Sequence, residues 1–483
     1  MGTASNRYAD WMAAKKRRSG RGKGPRQGIS GNPQRRAEQL AQRRPAIADE
    51  PDLSSLRNLA YALAGGAEPS PWWDESHQRI IASARALAWP SRLVDLETQA
   101  CRIVGDEFYE RLNSEPAGLH PSQWLGALAE ATGAALRASV DDRTGDWPQL
   151  WALLSGLALT MPPGDIQSET AKLARETFPD IKDPYETVLA EAGQAAKLLA
   201  DRGLAVGVER SADGSRAVGD PLIACDAYGS RFLIVAPFGY DGEAPDHWYA
   251  WDIDSCWILY VVGARVFGSA QDALAEWQHA VGPAAGTALS PSAPELTARL
   301  LAPCLATGPM SDMLQGGEPR ELIREYYRLR RRASVLVPSA GVTAASSAAA
   351  SSDGDDPGLA REAFLGWYAA RHGDAPQDAA DAVDMILYEW GPRPEERWRY
   401  ACSPHRIEMT ARLIRDGYVP GYANAALRLL PEWTQWCIEQ SGLTGDLAAR
   451  SRAAALTEAM ALVDEDTNAS AVGQDEAPFR RQE

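Results

Sequence analysis

Between residues 53 and 202, apolar side chains return every three or four positions, the period of a helix that buries one face. The pattern predicts helices near 53–64, 74–88, 91–113, 121–139, 147–160, 168–177 and 184–202. Several starts carry local signals: Ser91 ahead of "RLVDLETQACRIVGDEFYERL", Pro121 after His120, and Asp183-Pro184. Gly203 supplies the last stop. No segment repeats at a fixed period, which argues against a solenoid.

Beyond Gly203 the pattern changes to that of strands. "LAVGVER" and "SRAVG" flank Asp213-Gly214, a hairpin signal. "PLIACDA", "RFLIVAPF", "HWYAWDID" and "WILYVVGARVF" follow across short turns, which predicts an antiparallel meander. "RFLIVAPF" and "WILYVV" are apolar at odd and even positions alike, so both faces of the sheet need a cover. One cover is the helix "SAQDALAEWQHAV", opened by a Ser269/Asp272 capping box, with Ala273, Leu274, Trp277 and Val281 as its apolar stripe. The other is the helical region before the sheet.

A Pro/Ala/Gly/Ser connector at 283–294 leads to helices near 295–302 and over "PRELIREYYRLRRRASVL". Residues 336–358 have no apolar period and read as a flexible linker. The expected fold class is therefore α+β. A mostly helical body at 50–335 carries the meander plus its helix, and a separate small all-α domain follows at 359–463, with a disordered tail at 464–483. Sixteen Trp against seven Phe give the packing an unusual supply of large amphipathic rings, and five of those Trp fall in 359–463.

Charge changes the picture at the N-terminus. The chain carries a formal net −16, yet residues 1–45 hold twelve Arg and Lys against only Asp10 and Glu38. Residues 1–49 thus read as a basic, largely disordered arm on an acidic body that itself disfavours nonspecific adhesion to nucleic acid. Lys15, Lys16, Arg17, Arg18, Arg21, Lys23, Arg26, Arg35 and Arg36, spaced by Gly, can follow phosphates without a fixed fold. No aromatic lies between Arg17 and Arg44, so base stacking is not offered and binding would lack sequence specificity. A solvated tail docked on its own acidic body is the competing reading.

The six cysteines are scattered and nothing suggests a secreted disulfide scaffold, so a reducing cytoplasm is expected. No apolar run approaches the ~18 residues of a membrane span, and no secretory signal follows the basic head. No membrane partner and no cofactor are expected.

Signatures of known chemistry are mostly absent: there is no P-loop, no H-E-x-x-H and no G-x-S-x-G. Arg320, Arg324, Arg328 and Arg331 form one stripe of a helix, read as a solvated face with its cations near the helix C-terminus. Cys402, His405 and Glu408 are three apart and invite a metal reading. Ser403-Pro404, however, looks like an N-cap and first helical residue, which leaves Cys402 outside the helix, and no metal site is expected. Topology yields one constellation: Asp226, Arg231, Asp252 and Asp254 should meet at one rim of the meander, as turn supports or as a candidate ligand rim. Asp252 and Asp254 would crowd there unless a cation or Arg231 relieved them.

"GKGPRQGISGNPQRRAEQL", "LRNLAYALAGGA", "IVGDEFYERL", "EPRELIREYYRLRRRA" and "SPHRIE" together resemble a group of actinobacterial, Streptomyces-type hypothetical proteins. The resemblance spans most of the chain. It implies a cytosolic actinobacterial protein and assigns no activity and no catalytic residue. The expected function is a cytoplasmic, non-enzymatic interaction or adaptor protein whose arm binds nucleic acid or another polyanion, with a protein partner besides. Two alternatives stay open: an enzyme or small-ligand-binding protein with its site at the meander rim, and a regulatory or defence-associated protein–protein adaptor.

Overall fold

The structure, a computed structural model, describes residues 72–86, 92–114, 121–142, 144–161, 170–174, 215–240, 245–257, 259–305, 319–337, 357–390 and 398–472. The basic arm, the helices expected at 53–64 and 184–202, the first strand of the expected hairpin and most of the expected linker lie outside the described residues.

Among the described residues, the helices before the sheet are α1 (Trp72–Arg85), α2 (Leu93–Ser114), α3 (Pro121–Asp141) and α4 (Trp147–Thr160). The sheet follows as β1 (Arg216–Ala217), β2 (Leu222–Cys225), β3 (Arg231–Gly239), β4 (His247–Asp254) and β5 (Tyr260–Phe267). After α5 (Ala270–Val281), the two-residue β6 (Ser290–Pro291) precedes α6 (Pro294–Leu305) and α7 (Pro319–Leu336). The described residues end with α8 (Pro357–His372), α9 (Ala379–Trp390), α10 (Pro404–Gly417), α11 (Pro420–Ser441) and α12 (Gly445–Val472). This is the expected α+β architecture, mostly helical around one antiparallel sheet. No helix among the described residues is long and apolar enough to cross a membrane.

The sheet runs β5-β4-β3-β2-β6, with β1 paired to the far end of β3, and every pairing is antiparallel. The strand β6 was not anticipated within the 283–294 connector. Its two residues are too few to show a period, and it exists because β2 offers a free edge. Alternation along β3 sorts the two faces. Phe232, Ile234, Ala236 and Phe238 join the helices before and after the sheet in one core, while Leu233 and Val235 meet Ala273, Leu274 and Trp277 of α5. Ser269 caps α5 as expected: its hydroxyl accepts from the Asp272 N–H at 3.1 Å and donates to the Asp272 carboxylate, which thus meets the hydroxyl of the cap, at 2.7 Å.

Two glycines permit close helix crossings. A Cβ on Gly105 of α2 would lie 2.3 Å from the Arg324 Cα of α7, and one on Gly156 of α4 would lie 2.6 Å from the Leu96 carbonyl oxygen of α2. The arginine stripe of α7 consequently faces α2 and the sheet. Arg320, at its start, keeps the exposure that the sequence suggests, but Arg328 and Arg331 are buried and not part of a solvated face. Arg324 and Arg320 bond Asp106, Arg328 pairs with Glu325, and Arg332, 1 % exposed, pairs with Glu97. Tyr249 Oη donates to Glu325 at 2.9 Å, and the Arg332 guanidinium lies 4.7 Å from the Phe238 ring centroid. Arg331 donates to the Met161 carbonyl at 2.7 Å, serving the end of α4.

Helices α8–α12 build their own core around Phe364, Ile386, Ile407, Leu427, Leu430, Trp433 and Trp436. The last helix continues to Val472, past residue 463 where the tail was expected to begin. Once a helix is nucleated, each added residue gains a backbone hydrogen bond at little further cost, so a polar sequence can prolong it.

Candidate functional site

The rim where β2 turns into β3 is built by Asp226. Its carboxylate accepts from the Ser230 N–H at 2.7 Å, the Arg231 N–H at 3.0 Å and the Ser230 hydroxyl at 3.0 Å. Gly229 completes the turn at φ +74°, a conformation that disfavours side chains. Burial raises the Asp226 pKa more than these bonds lower it.

Arg231 reaches diagonally across the sheet to Asp252, with Nε at 2.9 Å from one oxygen and a terminal nitrogen at 2.6 Å from the other. Trp277 Nε1 of α5 donates to the same carboxylate at 3.0 Å. The crowding expected between Asp252 and Asp254 is thus relieved by Arg231. Asp254, at the end of β4, is buried; one oxygen accepts from the Cys256 N–H at 2.6 Å and the other lies 3.8 Å from His405 Nε2. The four residues read from topology do come to one rim, each engaged by bonds of its own.

What the sequence did not show is that α8–α12 sit on this rim. Trp398 packs edge-on against Phe232 with ring centroids 4.6 Å apart, and a Cβ on Gly229 would lie 2.2 Å from the Trp398 ring. Ser403 caps α10 by accepting from the Arg406 N–H at 3.2 Å, as Ser403-Pro404 suggested. That cap sends Arg406 inward, where its guanidinium donates to the Ala401 carbonyl at 3.0 Å and, from the other nitrogen, to the Ser255 carbonyl. Burial draws the Arg406 pKa below the usual arginine value. Ser255 in turn donates from its N–H to the Ser230 carbonyl at 2.9 Å, tying the two turns of the sheet together.

No family model, curated protein or solved structure matches the chain.

The Cys402/His405/Glu408 spacing does not make a site. Cys402 is buried, with its carbonyl accepting from Ser451 Oγ at 2.6 Å. His405 instead meets Asp254 and Cys256, and one ligand atom from each of the three lies within 4.8 Å of the others. No local spacing could have announced this group, because its members come from strand β4, the loop after it and a helix about 150 residues later. Among the described residues it is the grouping whose donor set suits a metal ion.

The same three residue types could suggest a nucleophile with its base. Cys256 is only 1 % exposed, however, and burial pushes its thiol up to about 12, so without a bound cation the sulfur is protonated and a poor nucleophile. A cavity of about 130 Å³ lies alongside, lined by Asp226, Tyr228, Gly229, Trp398, Cys402 and Ser441 among others. It is smaller than the roughly 300–1,000 Å³ of typical small-molecule pockets. The residues named for polyanion binding, Lys15 to Arg36, lie outside the described residues.

Proposed function

We propose that this chain is a cytoplasmic, non-enzymatic interaction protein whose basic N-terminal arm binds a polyanion, nucleic acid foremost, without sequence specificity. The observation that carries the reading is the partition of charge: twelve cations against two acids in residues 1–45, at the head of a chain of net −16. The described part of the body supports placing that contact on the arm. The most arginine-rich helix of the body, α7, turns Arg324, Arg328 and Arg332 onto Asp106, Glu325 and Glu97, so that stripe is not offered to phosphates. At the rim of the sheet, Asp226 holds a turn and Asp252 holds Arg231.

Binding through backbone phosphates releases counterions and so weakens steeply with salt. Full-length protein is expected to shift a nucleic-acid duplex in an electrophoretic mobility assay, losing about a thousandfold in affinity between roughly 50 and 200 mM salt. Protein lacking residues 1–45 should bind nothing while keeping its melting temperature. Equal binding by the truncated protein, or salt-insensitive binding by the intact one, would refute the reading.

A further inference from the structure

We propose that Asp254, Cys256 and His405 form a binding site for a zinc-type divalent metal ion at the seam between the sheet and the C-terminal helices. The inference is independent of the polyanion reading and concerns a different part of the molecule.

The donor set comes first. A thiolate, an imidazole and a carboxylate are together the ligands of Zn²⁺ and its neighbours in the first transition row, whereas Mg²⁺ and Ca²⁺ take oxygen. Their ligand atoms lie within 4.8 Å of one another before any ion draws them in. Tetrahedral zinc, with bonds of about 2.0–2.3 Å, needs ligand atoms separated by roughly 3–4 Å, so the closure required is small. The Asp254–His405 edge already measures 3.8 Å.

The surroundings orient the ligands. One oxygen of Asp254 is fixed by the Cys256 N–H at 2.6 Å, and the other faces His405 at 3.8 Å, with the Tyr260 side chain also beside the carboxylate. Cys256 is held in place by the loop whose Ser255 is bonded both to Ser230 and to Arg406. His405 occupies the first turn of α10, and its backbone is positioned by the Pro404 start and the Ser403 cap. Its side chain is 53 % exposed, so a fourth position can open to solvent there. Three protein ligands with one open position is the pattern of zinc sites that keep an exchangeable water.

Charge also closes. The nearby guanidinium of Arg406 repels a cation, but it sits among Asp254 and Asp226 as well as Cys256. With Cys256 bound as thiolate, those three anions balance one divalent ion plus Arg406. Binding therefore exchanges the thiol proton for the metal, the proton leaving to solvent, and no oxidant or reductant is involved.

The test uses the untagged full-length chain, stripped with a chelator and titrated with CoCl2, then with ZnCl2 against a chromophoric chelator. One Co²⁺ per chain is expected, with a thiolate-to-cobalt charge-transfer band and the visible bands of four-coordinate cobalt, and Zn²⁺ should displace it. Cys256→Ser should remove the charge-transfer band, and His405→Ala should weaken Zn²⁺ binding by at least about tenfold. Cys402→Ser and Glu408→Gln should bind as the parent does. The half-exposed His405 can be replaced without disturbing the core, so His405→Ala decides the matter even if Cys256→Ser fails to fold. Absence of stoichiometric binding, a charge-transfer band that survives Cys256→Ser, or undiminished Zn²⁺ affinity in folded His405→Ala would overturn the proposal.

Discussion

His247 makes an acid-sensitive point in the core that can be measured. It opens β4 opposite Phe238, with the two rings stacked at 6.1 Å and Tyr240 tilted against it at 5.6 Å. Neither ring nitrogen has a hydrogen-bond partner among the described residues. Burial, followed by the positive charges of Arg332, Arg328 and Arg92, lowers its pKa from 6.5 to about 2. The folded protein therefore holds a neutral imidazole where the unfolded chain takes up a proton below 6.5. Stability is fully present above pH 6.5 and falls as the pH drops toward the folded value, by about 1.4 kcal/mol per pH unit.

The perturbation is His247→Phe, which keeps the ring stack and removes the titration. Deleting two buried nitrogens without partners should raise stability at about pH 7.5, by roughly 1 kcal/mol. Between about pH 7.5 and pH 5.5 the gap between variant and parent should widen by about 1.4 kcal/mol, because every other titrating group is common to both and cancels. Urea unfolding at each pH, followed by tryptophan fluorescence, measures the gap; Trp251 reports from the same core. A gap that stays constant as the pH falls would show that His247 protonates in the folded state at an ordinary pKa. The argument from burial and the arginines would then be wrong.

Two further outcomes concern the rim of the sheet. Gly229→Ala should lower stability by about 1–3 kcal/mol in thermal denaturation, since it forces a side chain onto a positive φ and into the Trp398 ring; an unchanged midpoint would mean that Trp398 does not rest on this turn. Asp252→Asn should cost about 1–3 kcal/mol, less than a fully buried pair because Arg231 keeps part of its surface in water, and a neutral result would show that the Arg231–Asp252–Trp277 arrangement supports nothing.

The parts of this fold that were legible in the sequence are those decided by neighbours in the chain. The Ser269/Asp272 box, the doubly apolar β3 and the tight turn at Tyr228-Gly229 each carry their own signal, and from them the meander, its covering helix and the meeting of Asp226, Arg231, Asp252 and Asp254 follow. The arginines of α7 were misread because an i, i+4 stripe looks the same whether it faces water or buried acids, and Glu97 and Asp106 belong to another helix. The group of Asp254, Cys256 and His405 was invisible for a related reason. The helix that supplies His405 reads as part of a separate unit, and nothing in its own residues says that it lands on the sheet.

The landing of α10 on the sheet has a consequence for synthesis. The Ser255 carbonyl receives Arg406 across 151 residues of sequence. At the usual elongation rates of about 5–20 residues per second, the sheet emerges roughly 8–30 s before the side chain that completes its rim. During that interval Phe232 lacks the Trp398 ring and the Ser255 carbonyl lacks its guanidinium, so the nascent body carries an open patch that only its own later helices close. A ribosome stalled between residues 340 and 400 would hold the protein in this state, and that is the window in which a chaperone has most to recognise.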